Sequence, residues 1–166
     1  MKLFKLYSFL LASLLFMFSS LASAGFSNAF QIIEVSAKNG NAAAQYSLGM
    51  FYYFGEKLTP EVKQDYFKAA DWFEKSVKQG NPNAQYQLAV LYSTGKGVKK
   101  NEVRAEELYL DAAIQGLPSA VYMIGLSYEF GGKSIKQDTP KALMSYGEAC
   151  DMKYQPGCDA YARLKK

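Results

Sequence analysis

The chain holds two cysteines, Cys150 and Cys158, in the stretch ACDMKYQPGCDAY, with seven residues between them. Two thiols at this spacing can form a disulfide, ligate a metal or act as a redox pair. Two cysteines in a chain without histidine cannot close a zinc shell. The spacing is not the Cys-x-x-Cys of thiol–disulfide catalysts either. If Cys150 ends one helix and Cys158 lies on the next, a tight turn between antiparallel helices brings them face to face.

The missing histidine also removes Ser-His-Asp and Cys-His catalysis and the commonest metal ligand. Ser93-Thr94-Gly95-Lys96 matches Ser-x-x-Lys, the nucleophile motif of penicillin-binding enzymes, but no Ser-Asp-Asn or Lys-Thr-Gly partner accompanies it. The loop Gly95-Lys96-Gly97-Val98-Lys99-Lys100 lacks phosphate-loop spacing and follows a helix rather than a strand, so it reads as a solvated inter-helix turn. Glu106 and Glu107 read as a solvated helix face rather than an acid–base pair. No catalytic residue, metal or cofactor is expected.

These residues sit on a repeat. Asn41 to Gly55 aligns with Asn81 to Gly95, with Ala44/Ala84, Gln45/Gln85, Tyr46/Tyr86, Leu48/Leu88, Tyr52/Tyr92 and Gly55/Gly95 identical. Ala120, Tyr122, Tyr128 and Gly131 continue the series. The second half recurs as Ala69-x-x-Trp72-Phe73, Ala105-x-x-Leu108-Tyr109 and Ala142-x-x-Ser145-Tyr146, with Ala29-x-x-Ile32-Ile33 before them. A period of 36 to 40 residues marks a stacked array. Each unit reads as two helices. Ala44, Leu48 and Tyr52 keep helical spacing. Gly55, Gly95 and Gly131 are expected as left-handed caps of the first helix. Asp65, Asn101 and Asp138 are expected as N-caps of the second. The expected division is a half-repeat at 25–40, full repeats at 41–80, 81–116 and 117–153, and a terminal half-repeat at 154–166.

The pattern resembles the Sel-1-like repeat family, relatives of the tetratricopeptide repeats. Copy one carries Ala44, Leu48, Gly49, Tyr52, Gly55, Asp65, Lys68, Ala69, Trp72 and Gly80 of the family pattern. Copy two carries Ala84, Leu88, Tyr92, Gly95, Gly97, Val98, Arg104, Ala105, Tyr109, Ala112, Ala113 and Gly116. Copy three carries Ala120, Gly125, Tyr128, Gly131, Asp138, Lys141, Ala142, Tyr146 and Ala149. Ala89 replaces the helix glycine in copy two, and copy one has a longer loop, Glu56 to Gln64. The resemblance implies an all-α solenoid of stacked helix-turn-helix repeats that acts as an interaction scaffold. Cys150 and the Gly-Cys at Cys158 resemble the cysteine-rich branch of the family, which implies a structural disulfide. Other members imply two alternatives, a penicillin-binding or β-lactamase-like enzyme and an immunity or inhibitor protein for an exported toxin.

Residues 1–24 read as a signal segment. Lys2 and Lys5 precede an apolar run from Leu6 to Phe18, and Ala22-Ser23-Ala24 fits a cleavage site. Cleavage after Ala24 would leave a periplasmic or secreted protein without a stable membrane insertion. Loss of the two lysines would lower the formal net charge from +4 to +2. That balance gives no sign of a nucleic-acid partner.

A second stripe runs along the first helices, turned by about half a turn from Ala44, Leu48 and Tyr52. It comprises Tyr46, Met50 and Tyr53, then Tyr86, Val90 and Ser93, then Tyr122, Leu126 and Glu129. In related helical solenoids this stripe lines the concave groove. Three stacked tyrosines would give an aromatic floor for an extended peptide or a helix. The other reading places both stripes in the core. The groove reading expects Tyr86→Ala to spare the fold and Tyr92→Ala to disrupt it. The partner would be a protein or peptide.

Overall fold

The computed structural model describes residues 28–58 and 62–166, so the expected signal segment lies outside the described residues. The helices are α1 (28–38), α2 (Ala42–Phe54), α3 (Tyr66–Val77), α4 (Pro82–Thr94), α5 (Glu102–Ile114), α6 (Pro118–Phe130), α7 (Thr139–Asp151) and α8 (Gln155–Leu164). From α2 to α8 each helix packs chiefly on those before and after it in the chain. The pairs α2/α3, α4/α5 and α6/α7 are the three full repeats. α1 and α8 flank them, at the positions expected for the half-repeats. The fold is an α/α solenoid.

Local chemistry sets the helix starts. The side chains of Asn41, Asp65, Asn81, Asn101 and Asp138 each accept a backbone N–H from the first turn of the helix they cap. Pro82, Pro118, Pro140 and Pro156 occupy first turns, where a missing N–H leaves no bond unmade. At the turns after the second helices, Gly40, Gly80 and Gly116 have φ of 93°, 81° and 80°. Lys153 takes the same place in the third repeat at φ 66°. The first helices end less uniformly than the sequence suggests. Gly95 is a left-handed cap, but Gly55 and Gly131 combine positive φ with ψ of −131° and 141°.

The loops within each repeat differ in length but close with the same bond. The backbone N–H groups of Asp65, Asn101 and Asp138 donate to the carbonyls of Tyr52, Tyr92 and Tyr128 at 2.8, 2.9 and 2.7 Å.

The core repeats as well. Ala69, Ala105 and Ala142 are buried, as are Leu48, Leu88 and Ile124. Tyr52, which the spacing places on the core stripe, is only half-buried, and Lys68 Nζ lies 5.2 Å from its ring centroid. Gly49 and Gly125 allow close helix contact. A Cβ there would lie 2.5 Å from the Phe73 ring and 2.6 Å from the Tyr146 ring. At the N-terminal end, Phe30 meets Phe51 and Tyr52 edge-on at 5.3 and 6.5 Å.

Candidate interaction face

The first helices carry almost no charge. α2 and α4 contain no Asp, Glu, Lys or Arg, and α6 contains only Glu129. Among the described residues, charge other than Glu129 sits on the loops, the turns and the other helices. Such a face suits apolar and hydrogen-bonding contacts rather than ion pairs.

Tyr46, Tyr86 and Tyr122 occupy one repeat position, and each ring rests on a ring of the following helix. Tyr46 lies 6.0 Å from Phe73, Tyr86 lies 5.5 Å from Tyr109, and Tyr122 lies 5.5 Å from Tyr146. Tyr122 also lies 5.6 Å from Tyr154, at the start of α8. Offset and tilted ring pairs at these separations are attractive beyond their buried area. All three tyrosines are half-buried, as are Met50, Tyr53, Val90, Ser93 and Leu126. The stripe is neither wholly core nor wholly open. Tyr92 is also half-buried, with its hydroxyl donating to Glu74 at 3.3 Å. Burial therefore does not draw the contrast between Tyr86 and Tyr92 that helical spacing suggests.

Burial raises the Tyr86 phenol above its ordinary pKa, and the nearby phenols of Tyr154, Tyr53 and Tyr122 add to the effect. Tyr109 is pushed up to about 12, mainly by burial, with the Ser93 hydroxyl partly offsetting it. These groups stay protonated at neutral pH and can donate hydrogen bonds.

Ser93 and Leu126 line a common cleft of about 470 Å³ between the second and third repeats. Tyr109, Met123, Glu102 and Lys133 line it too. Tyr109, Glu102 and Lys133 were not singled out as site residues from sequence, because α5 and the third loop reach the cleft only through stacking. Ser93 donates its hydroxyl to Val90 O at 2.9 Å.

Two carboxylates do structural work that the sequence hides. Glu106 is buried rather than on a solvated face. It accepts the backbone N–H groups of Lys133 at 2.6 Å and Ser134 at 2.8 Å, and the Ser134 hydroxyl. Burial alone would raise its pKa, but bonds from Ser134, Lys133 and Ile135 outweigh that and hold it below the usual carboxylate range. Glu129 is buried and bonded to the Tyr146 hydroxyl at 2.6 Å and to Arg163 at 2.7 Å. Its carboxylate serves the joint with α8. The Gly95–Lys100 loop is not simply solvated either. Gly97 sits so close to α3 that a Cβ would lie 2.2 Å from Tyr66 O.

Cys150 and Cys158 form a disulfide with Cα atoms 4.5 Å apart. Gly157 makes that approach feasible, since a Cβ there would lie 2.7 Å from Ala149 Cβ. Among the described residues no helix is long and apolar enough to cross a membrane, and no group of three or more His, Cys, Asp or Glu could hold a metal.

The family model described as Sel1 repeat matches residues 42–81, 82–117 and 118–154, one residue later at each start than the units read from sequence. ERAD-associated E3 ubiquitin-protein ligase component HRD3B of Arabidopsis thaliana is 33% identical over 114 residues, which are 68% of this chain and 17% of that protein. The chain thus spans about a sixth of the length of that relative. A Sel1 repeat protein from Oxalobacter formigenes superposes with a TM-score of 0.69 at 28% identity, covering 80% of this chain and 96% of the other. Cysteine rich protein B of Helicobacter pylori superposes with a TM-score of 0.52 at 28% identity, covering 57% of this chain and 68% of the other. Three contiguous repeat matches and the stacked helix pairs agree: the chain belongs to the Sel1 repeat family.

Proposed function

We propose that the chain is an exported, non-catalytic scaffold that binds a protein or peptide along the face formed by α2, α4 and α6. The carrying observation is the recurrence of Tyr46, Tyr86 and Tyr122, each half-buried on a ring of its own repeat, along helices nearly free of charge. Rings supported from below keep fixed positions, so a partner loses little entropy in ordering them. Met50, Tyr53, Val90, Ser93 and Leu126 complete the face. Large exposed apolar residues also occur on the second helices, and Phe67 and Val103 share one repeat position, but no aromatic ring recurs there and these helices carry charge along their length. Export is supported by the disulfide, which persists in oxidising compartments. Cleavage after Ala24 and periplasmic residence complete the proposal.

The test starts with mature protein as bait in an envelope extract. The captured partner is then purified, and its affinity is measured against wild type and Tyr86→Ala. A weakening of about tenfold or more supports the face. Unchanged affinity in a folded variant overturns it.

A further inference from the structure

We infer that the bound segment is acidic, with apolar or aromatic side chains among its carboxylates, and that the lysines of the intra-repeat loops form its charged rim. The inference rests on the tyrosine face being the binding surface. Its ground is how charge is distributed about that face. The floor offers no free ion, because Glu129 of α6 is paired with Arg163. The rim is basic. The second loop carries Lys96, Lys99 and Lys100, and the third carries Lys133 and Lys136.

Ion pairing leaves this rim under-neutralised. Glu102 is shared between Lys100 at 2.6 Å and Lys133 at 3.7 Å. Asp138 is taken by Lys141 at 3.4 Å. Among the described residues, Lys96, Lys99 and Lys136 have no carboxylate partner. The cleft of about 470 Å³ joins rim to floor, since Lys133 lines it together with Ser93, Leu126 and Tyr109. Tyr109 in turn supports Tyr86 at 5.5 Å. The cleft's own carboxylates do not oppose an acidic guest. Glu106 is saturated by the third loop, and Glu102 is bridged by two lysines. A segment with carboxylates on one edge and rings on the other would match both surfaces. Its charges would steer encounter and fix register.

The test uses mature, disulfide-bonded protein and fluorescence anisotropy. The probe is a labelled glutamate–tyrosine copolymer. A lysine–tyrosine copolymer and an oligothymidylate serve as the comparisons. Binding of the first is expected, weakening about tenfold from low to high salt as the charges are screened. Lys99→Glu combined with Lys136→Glu should weaken it about tenfold with unchanged melting, because both lysines are exposed. Tyr86→Ala should weaken it too. No binding of the acidic copolymer overturns the inference. So does equal or tighter binding of either comparison probe, or full binding by the charge-reversed variant. If charge reversal has no effect while Tyr86→Ala still weakens the captured partner, only the acidic rim falls. If Tyr86→Ala leaves that partner's affinity unchanged, the face itself falls.

Discussion

Arg163 in α8 grips Glu129 in α6 across 34 residues of sequence, Nη1 to Oε1 and Nη2 to Oε2, each at 2.7 Å. Tyr146 of α7 donates to the same carboxylate. Three consecutive helices thus share one acid, and the last helix is fastened at its far end. The Arg163 bonds hold the Glu129 carboxyl below its ordinary pKa against the opposing effect of burial, and Tyr146 helps.

A carboxyl with a depressed folded pKa contributes stability that is present above its unfolded value, about 4.3, and lost as pH falls through the folded value. Arg163→Met should therefore lower the melting temperature at neutral pH and reduce its fall between neutral and acid. Lys165→Met, two residues on and without a carboxylate partner among the described residues, should do neither. Thermal melts across the acid range check this, with hydrogen exchange of α8 as the local readout.

The disulfide fastens the near end of α8. Mature protein should show no titratable thiol under denaturing, non-reducing conditions. Cys150→Ser should cost about 2–3 kcal/mol in the chain-entropy model for so short a loop. The loss should appear first as faster exchange in α8, because the terminal half-repeat has no described helix beyond it.

Lys153 stands at φ 66° where the other repeats use glycine. A side chain in this conformation costs roughly 1–2 kcal/mol. Lys153→Gly should raise stability by about 1 kcal/mol. Gly116→Lys should lower it by a similar amount. Paired denaturant titrations of the two variants measure both changes.

Alkaline pH should unfold the protein through its buried phenols. Tyr109 is pushed up to about 12, mainly by burial, and burial also raises Tyr146, with Glu129 adding to the effect. A raised folded pKa gives stability that is complete below the unfolded value near 10 and lost as pH rises through the folded one. For Tyr109 the loss is on the order of 2–3 kcal/mol between pH 10 and 12. Tyr109→Phe should flatten that part of the profile, as followed by helical signal against pH.

What the sequence made legible was whatever is local or periodic. Asp65, Asn101 and Asp138 cap helices through bonds to a residue three positions on, so a short window sufficed. The stacked helix pairs followed from the repeated Ala, Leu and Tyr spacing. Cys150 and Cys158 were legible because their separation fits one turn between two helices. Glu106 was not, because its partners Lys133 and Ser134 lie 27 and 28 residues away and are met only through stacking. Arg163 was missed for the same reason. Gly97 looked like a turn glycine, yet it also lets the second loop rest against Tyr66 of the first repeat. The half-burial of Tyr86 was illegible because spacing fixes the side of a helix and not how deeply a neighbouring ring covers it.

The most direct test of where a partner binds is site-specific photocrosslinking. A photoreactive benzoylphenylalanine would replace Tyr86, Leu126, Phe67 or Ile114 one at a time in mature protein incubated with the captured partner. Phe67 and Ile114 are 74% and 76% exposed, so they are the more accessible positions if access alone decided contact. Crosslinks are expected from positions 86 and 126 and not from 67 or 114. Crosslinks confined to 67 and 114 would contradict the proposal and place the partner on the second helices.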